Sequence, residues 1–132
     1  MFEITVAETF AAAHFLRGYR GKCENVHGHN YKVEVTLAGE RLDALGLLVD
    51  FLEIKRLLRA ALERLDHRLL NDVPPFDRRN PTAENLARYL YEEIARSLEA
   101  GAGDQGVRVA AVKVWETEAT AAAYRPPDRP AA

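Results

Sequence analysis

Alternation governs the two ends of the chain, and a helical period governs its middle. Over residues 2–14, Phe2, Ile4, Val6, Phe10, Ala12 and His14 share one parity, with Glu3, Thr5 and Thr9 on the other. A period of two predicts a strand with one buried face; Glu8 interrupts the apolar side. Residues 15–25, FLRGYRGKCEN, carry two glycines and the cations Arg17, Arg20 and Lys22, and read as a loop. Alternation resumes with Tyr31, Val33, Val35 and Leu37 against Lys32, Glu34 and Thr36. After a turn in AGERLDALG, the short apolar run LLVDF is long enough for one more strand. Phe51, Ile54, Leu57, Leu58, Ala61, Leu62 and Leu65 then fall at helical spacing and predict a helix over 51–65. A proline-containing loop separates it from a second helix over 82–99, with Pro81 at its start and Asn80 and Thr82 as candidate caps. GAGDQG ends that helix. VRVAAVKVWETE is a strand whose apolar parity shifts midway, which predicts a bulge or burial on both faces. AAAYR is a last strand, and PPDRPAA reads as a loose tail.

The order ββ, α, α, ββ predicts an α+β fold, with a four-stranded antiparallel sheet and two helices on one face. One domain is expected over residues 1–125, with a flexible tail over 126–132. The open edges of so small a sheet must be covered or paired with another subunit, so a homo-oligomer is expected.

Composition narrows the class further. The 132 residues are 48% hydrophobic and 29% charged with a net charge of -2, which gives no global attraction to nucleic acid or acidic membranes. One cysteine allows no internal disulfide, as suits a reducing compartment. The N-terminus has neither the pattern of a signal peptide nor a long apolar run. A soluble, cytoplasmic protein is expected.

Two of the four histidines sit in CENVHGHNYKVEV, His27 and His29, four and six residues after the lone Cys23. In strand geometry they point to one face, that of Tyr31 and Val33. His14 shares the core parity of its own strand. If the two strands pair antiparallel, three imidazoles converge at one end of the sheet, and three His with an open position is the chemistry of a catalytic Zn2+ site. The alternative, satisfied core histidines, is the commoner fate of such residues singly. Cys23 lies among cations that favour a thiolate, and base, nucleophile and fourth ligand all remain open to it, as does an inert thiol. His67 follows Asp66, and a carboxylate beside an imidazole can fix its tautomer; the same pair can equally be a helix-end cap. Glu116 has the parity of Val112 and Val114. A carboxylate there is costly unless paired, as with a guanidine-like ring edge, or unless the strand is emerging into water. Arg17, Arg20 and Lys22 offer a weak phosphate-binding hint.

Six segments, FAAAHFL, CENVHGHNYKVEV, LVDFLEIK, LDHRLLND, NPTAENLARYLYEEI and VKVWETEATAAAY, occur in an order and spacing that resemble the 6-pyruvoyl-tetrahydropterin synthase superfamily. The likeness covers residues 2 to about 125 and is closest to its bacterial 6-carboxy-5,6,7,8-tetrahydropterin synthase branch, of queuosine biosynthesis. The resemblance implies a tunnelling fold in which three subunits close a barrel and two trimers form a hexamer, with active sites at subunit interfaces. It implies His14, His27 and His29 as zinc ligands, Cys23 as the catalytic thiol, and Asp66 with His67 as a proton relay. Glu116 would anchor the pterin, with Thr82 and Glu84 in a segment that helps to hold it. The implied substrate is 7,8-dihydroneopterin triphosphate and the implied product 6-carboxy-5,6,7,8-tetrahydropterin, with loss of acetaldehyde and triphosphate. Cys23, three residues clear of His27, fits that branch. Glu24, two residues clear, fits another branch that uses Glu as base to make 6-hydroxymethyl-dihydropterin for folate. A dual-function enzyme, a pyruvoyl-forming enzyme, a non-catalytic pterin- or metal-binding protein and a three-His zinc hydrolase are the alternatives.

Overall fold

The computed structural model describes residues 1–101 and 106–128. The turn expected over GAGDQG and the end of the expected tail fall largely on residues outside these. Strands β1 (Phe2–His14) and β2 (His27–Gly39) pair antiparallel in unbroken register, from Phe2 opposite Gly39 to His14 opposite His27. Helix α1 (Phe51–Leu62), the two-residue strand β3 (Arg68–Leu69) and helix α2 (Ala83–Gly101) follow. The chain then returns through β4 (Arg108–Thr117) and β5 (Thr120–Tyr124). The sheet order is β3-β1-β2-β4-β5.

The sheet therefore has five strands and is mixed, where alternation predicted four and a purely antiparallel arrangement. The addition is β3, which runs parallel to β1 at Ala12 and Ala13. LLVDF forms no strand. Asp50 stays extended and its carboxylate accepts a hydrogen bond from Leu52 N at 2.9 Å, so the run ends as a helix cap and Phe51 opens α1. Leu48 instead packs over Gly39, where a Cβ would lie 2.7 Å from its Cδ1. Helix α1 stops at Leu62, short of the expected Leu65, although Leu65 is still fully buried in the following turn. The parity shift in β4 is a bulge: Thr36 faces Ala111 and Leu37 faces Val109, leaving Ala110 unpaired.

Both helices cover one face of the sheet. Val6, Phe10, Tyr31, Val33, Val35, Val112 and Val114 meet Ile54, Leu58, Leu86, Leu90 and Ile94 in one buried cluster. Each such aliphatic side chain contributes about 2 kcal/mol of burial. Glu8, the odd residue on that face, lies toward α1 and accepts a hydrogen bond from Arg59 at 2.9 Å.

The outer edge of β1 is half closed. Ala11 N donates to Asp66 Oδ1 at 3.0 Å and Ala11 O accepts from His67 N at 2.6 Å. Arg17 N and O are bonded in the same way by the side-chain amide of Asn80, at 2.9 and 3.0 Å. Odd-numbered residues thus present their backbone groups outward. By strand alternation the same holds for Glu3, Thr5, Ala7 and Thr9, which no strand covers among the described residues. No helix among the described residues is long and apolar enough to cross a membrane.

Candidate metal centre and active site

The β1–β2 register brings three imidazoles to the end of the sheet on its helix-covered face. His14 faces His27, and Ala12 faces His29. The ligand-type nitrogens of His14, His27 and His29 all lie within 4.8 Å of one another. Tyr31 floors the cluster, its ring stacked on Phe10 at 4.8 Å and its hydroxyl 3.2 Å from His14 Nδ1.

Hydrogen bonds fix the tautomers. His14 Nδ1–H donates to Pro81 O at 2.7 Å, and His27 Nδ1–H donates to Asn25 O at 2.7 Å. In the neutral rings each Nε2 then carries only a lone pair. These two Nε2 atoms are 3.0 Å apart. His29 Nε2 is buried with no hydrogen-bond partner. Burial holds the pKa of His14 below the ordinary histidine value, against the upward pull of the Pro81 carbonyl and Glu116. Burial also lowers that of His29, against Glu116. Neutral imidazoles with converging lone pairs are mutually repulsive, and a divalent cation bound among them removes the conflict. The donor set, three imidazole nitrogens with carbonyls holding two of the rings, fits zinc.

Glu116 enters the cluster from β4. Its Oε1 lies 3.2 Å from His14 Nε2 and 3.5 Å from His29 Nε2, and its side chain is 30% exposed. The strand therefore does not simply emerge into water at this point.

The other residues singled out from the sequence are placed as follows. Cys23 sits in a 3-10 turn over Lys22–Glu24, half-buried, while Glu24 is exposed. The turn is tied to the end of β1 by Leu16 N donating to Cys23 O at 2.7 Å. His67 has a φ of 59° and an exposed ring. Its Nδ1 is 2.9 Å from Asp66 Oδ1. Asp66 is held below the usual carboxylate range, first by the Ala11 N–H and then by His67. His67 and His29 both line an open hollow of about 530 Å3 beside β1 and β3. Among the described residues no hydrogen bond joins Cys23 Sγ to the cluster or to the Asp66–His67 pair. Thr82 caps α2, its Oγ1 accepting from Asn85 N at 3.1 Å, and Glu84 is exposed in the first turn of that helix. Arg17, Arg20 and Lys22 are exposed.

Sequence reasoning passed over the groups that aim the ligands. Tyr31 reads only as core, and the carbonyls of Pro81 and Asn25 have no signal in side-chain pattern. Asn80 reads as a cap, yet its side chain binds Arg17 and its carbonyl accepts from Asn85 Nδ2 at 2.8 Å, which seats Pro81 against His14.

Residues 3–127 match the 6-pyruvoyl tetrahydropterin synthase family. The chain belongs to that family. Its members include a Bacillus subtilis relative named 6-carboxy-5,6,7,8-tetrahydropterin synthase, 35% identical over 130 residues, covering 95% of this chain and 86% of the relative. A Poecilia reticulata relative named 6-pyruvoyl tetrahydrobiopterin synthase is 33% identical, covering 92% of this chain and 88% of its own. The solved structure of Caenorhabditis elegans 6-pyruvoyl tetrahydropterin synthase superposes with a TM-score of 0.81 at 29% identity, covering 95% of both chains. Relatives with both names thus match this chain over most of its length.

Proposed function

We propose that the protein is a zinc-dependent enzyme that converts 7,8-dihydroneopterin triphosphate to 6-carboxy-5,6,7,8-tetrahydropterin, releasing acetaldehyde and triphosphate, in queuosine biosynthesis. The observation that carries the metal part is the convergence of His14, His27 and His29 with two Nδ1 protons committed to carbonyls. Relatives named 6-carboxy-5,6,7,8-tetrahydropterin synthase, 31–35% identical, support the choice of product.

His14, His27 and His29 would hold the ion, which when bound supplies a Lewis acid that lowers the pKa of the substrate's side-chain hydroxyls. Cys23 accepts and returns protons on the substrate side chain. Asp66 fixes the His67 tautomer by accepting from Nδ1–H, which leaves Nε2 free to take or give a proton. Glu116 takes the guanidine-like edge of the pterin ring. The exposed ring of His67 and the separate placement of Cys23 fit an active site completed by a neighbouring subunit. The uncovered outer edges of β1 and β5 fit strand pairing between subunits, and we place the enzyme in a homo-hexamer of two trimers.

The test is the product. Zinc-loaded protein is given pure 7,8-dihydroneopterin triphosphate and the pterins are identified by mass. The proposal expects the carboxy product and its loss in Cys23→Ala. A 6-hydroxymethyl-dihydropterin product that survives Cys23→Ala and vanishes in Glu24→Gln would replace it with the folate reading. Binding without turnover would make the protein a pterin- or metal-binding one.

A further inference from the structure

We propose that the end of the sheet farthest from the histidines is a docking surface for an amphipathic helix of a partner protein, one that carries an apolar anchor flanked by Lys or Arg. The proposal depends neither on a metal nor on the reaction.

The centre of this surface is a cavity of about 330 Å3. Leu48, Val49, Leu57, Leu98 and Val107 wall it, between the start of α1, the end of α2 and the entry to β4. Leu48 and Val107 both lie against Gly39, and Gly39 pairs with Phe2. The cavity and the His14–His27 pair therefore stand at opposite ends of the β1–β2 ladder. Its volume is at the small end of the range for ligand pockets, which suits an anchor side chain better than a cofactor.

The rim is acidic. The exposed side chains of Asp43, Asp50 and Glu53 line it, and among the described residues no Lys or Arg does. The four residues between Gly101 and Gly106 are Ala, Gly, Asp and Gln, and add no cation. Arg56 offsets Glu53, which it meets at 2.6 Å, and Arg41 lies toward Gly106. Asp43 and Asp50 bond only backbone N–H groups among the described residues. Helix α2 ends beside the cavity at Leu98 and Gly101, and the C-terminal end of a helix is its negative one. The complementary partner is cationic.

The same carboxylates hold apolar side chains around the rim. Asp43 Oδ1 accepts from Leu45 N at 2.8 Å and from Leu47 N at 3.0 Å, and Asp50 Oδ1 accepts from Leu52 N at 2.9 Å. Leu45 is 84% exposed, Leu52 74% and Phe51 51%. Large apolar side chains grouped in water and rimmed by polar residues mark a protein-binding surface. An anchor buried in a pocket at its centre is where such an interface concentrates its affinity. A small molecule filling the cavity would leave Leu45 and Leu52 in water, so the occupant is a polypeptide. The backbone N–H groups of Leu45, Leu47 and Leu52 are already bonded, which leaves side chains to do the recognising. An amphipathic helix meets both demands: its apolar face serves the cavity and the leucines, and cations beside that face serve Asp43 and Asp50.

The probe is an acetylated and amidated peptide of Leu and Lys with its leucines on one helical face. A companion peptide has Glu in place of every Lys. Leu and Val methyl groups of the whole protein are followed by NMR as peptide is added, and affinity is read from the anisotropy of labelled peptide. The Lys peptide should shift the methyl signals of Leu48, Val49, Leu57, Leu98 and Val107, and not those of Val33 and Val114 nearer the histidines. The Glu peptide should bind at least about tenfold more weakly. Leu45→Ser combined with Leu52→Ser should weaken the Lys peptide by about tenfold or more while leaving the Tm unchanged, and Glu53→Lys should narrow the preference between the peptides. Binding of neither peptide, equal binding of both, shifts centred elsewhere, or undiminished affinity in the leucine variant would overturn the proposal. If the leucine substitutions instead dissolve an assembly of the protein with itself, seen by sedimentation, the occupant is a second copy and the partner is refuted.

Discussion

Asn71 pairs with Phe15 as a strand residue would. Its Oδ1 accepts from Phe15 N and its Nδ2 donates to Phe15 O, both at 3.0 Å, in a side chain only 4% exposed. Asn80 repeats the device two residues further along, at Arg17. The two amides extend the outer border of β1 past its last regular residue and hold the chain that leads from His14 toward Cys23.

Replacing Asn71 by Ala strands two backbone groups in a half-buried setting, at about 1–3 kcal/mol each. Urea denaturation should show a loss of roughly 2–6 kcal/mol for Asn71→Ala. The same change at the partly exposed Asn80 should cost less, because water replaces part of what is lost. Equal costs at the two positions would contradict this account.

The metal centre should stabilise the fold. The three imidazoles join β1 to β2, so an ion bound there favours the folded chain over the unfolded one. Zinc at a thousandfold excess over its Kd adds about 4 kcal/mol. A chelator should lower the Tm by several degrees and zinc should restore it. His27→Ala should abolish the response to both.

Asp66 gives an acid-side signature. Its carboxyl is held below the ordinary aspartate value of 3.8, chiefly by the Ala11 N–H and then by His67. A lowered folded pKa means that the unfolded chain takes up the proton first as pH falls. The Asp66 contribution is therefore complete above 3.8 and is lost as pH drops below it toward the folded value. The Tm difference between wild type and Asp66→Asn should be constant near neutrality and shrink through the region below 3.8. A difference that persists unchanged to lower pH would show that the charge is not what Ala11 holds.

His67 stands at a φ of 59°, a left-handed conformation that costs a side-chain-bearing residue about 1–2 kcal/mol. Gly avoids that cost, though it gives back part of the gain as unfolded-state entropy. His67→Gly should match or exceed wild type in Tm, and His67→Ala should fall below His67→Gly. Both variants should lose turnover if the imidazole moves a proton. A glycine variant that is markedly destabilised would mean that the ring is needed for folding.

Much of this architecture was legible because β1 and β2, and β4 on either side of its bulge, alternate over enough residues to declare a buried face. The shared parity of His27 and His29, with His14 on the matching face of β1, was enough to anticipate that the imidazoles meet. Strand β3 was not legible, since two residues have no period. It exists because Asp66 and His67 dock on Ala11, a contact between distant parts of the chain. LLVDF misled because a short apolar run looks alike whether it pairs in a sheet or buries one leucine ahead of a helix. Glu116 was half legible: its parity with Val112 and Val114 put it on the buried face, but its meeting with the histidines depends on how β4 lies against β2, which no local pattern records.

The half-closed border of β1 also acts as a ruler. A strand laid along Glu3, Thr5, Ala7 and Thr9 finds free donors and acceptors at every second residue, then meets Asp66 and His67 at Ala11 and can travel no further. Its end is set by that collision rather than by its own length. A chain docked on this edge can thus advance no nearer than one step from the Asp66–His67 pair, and a slip toward the histidines is blocked before a single new bond can form.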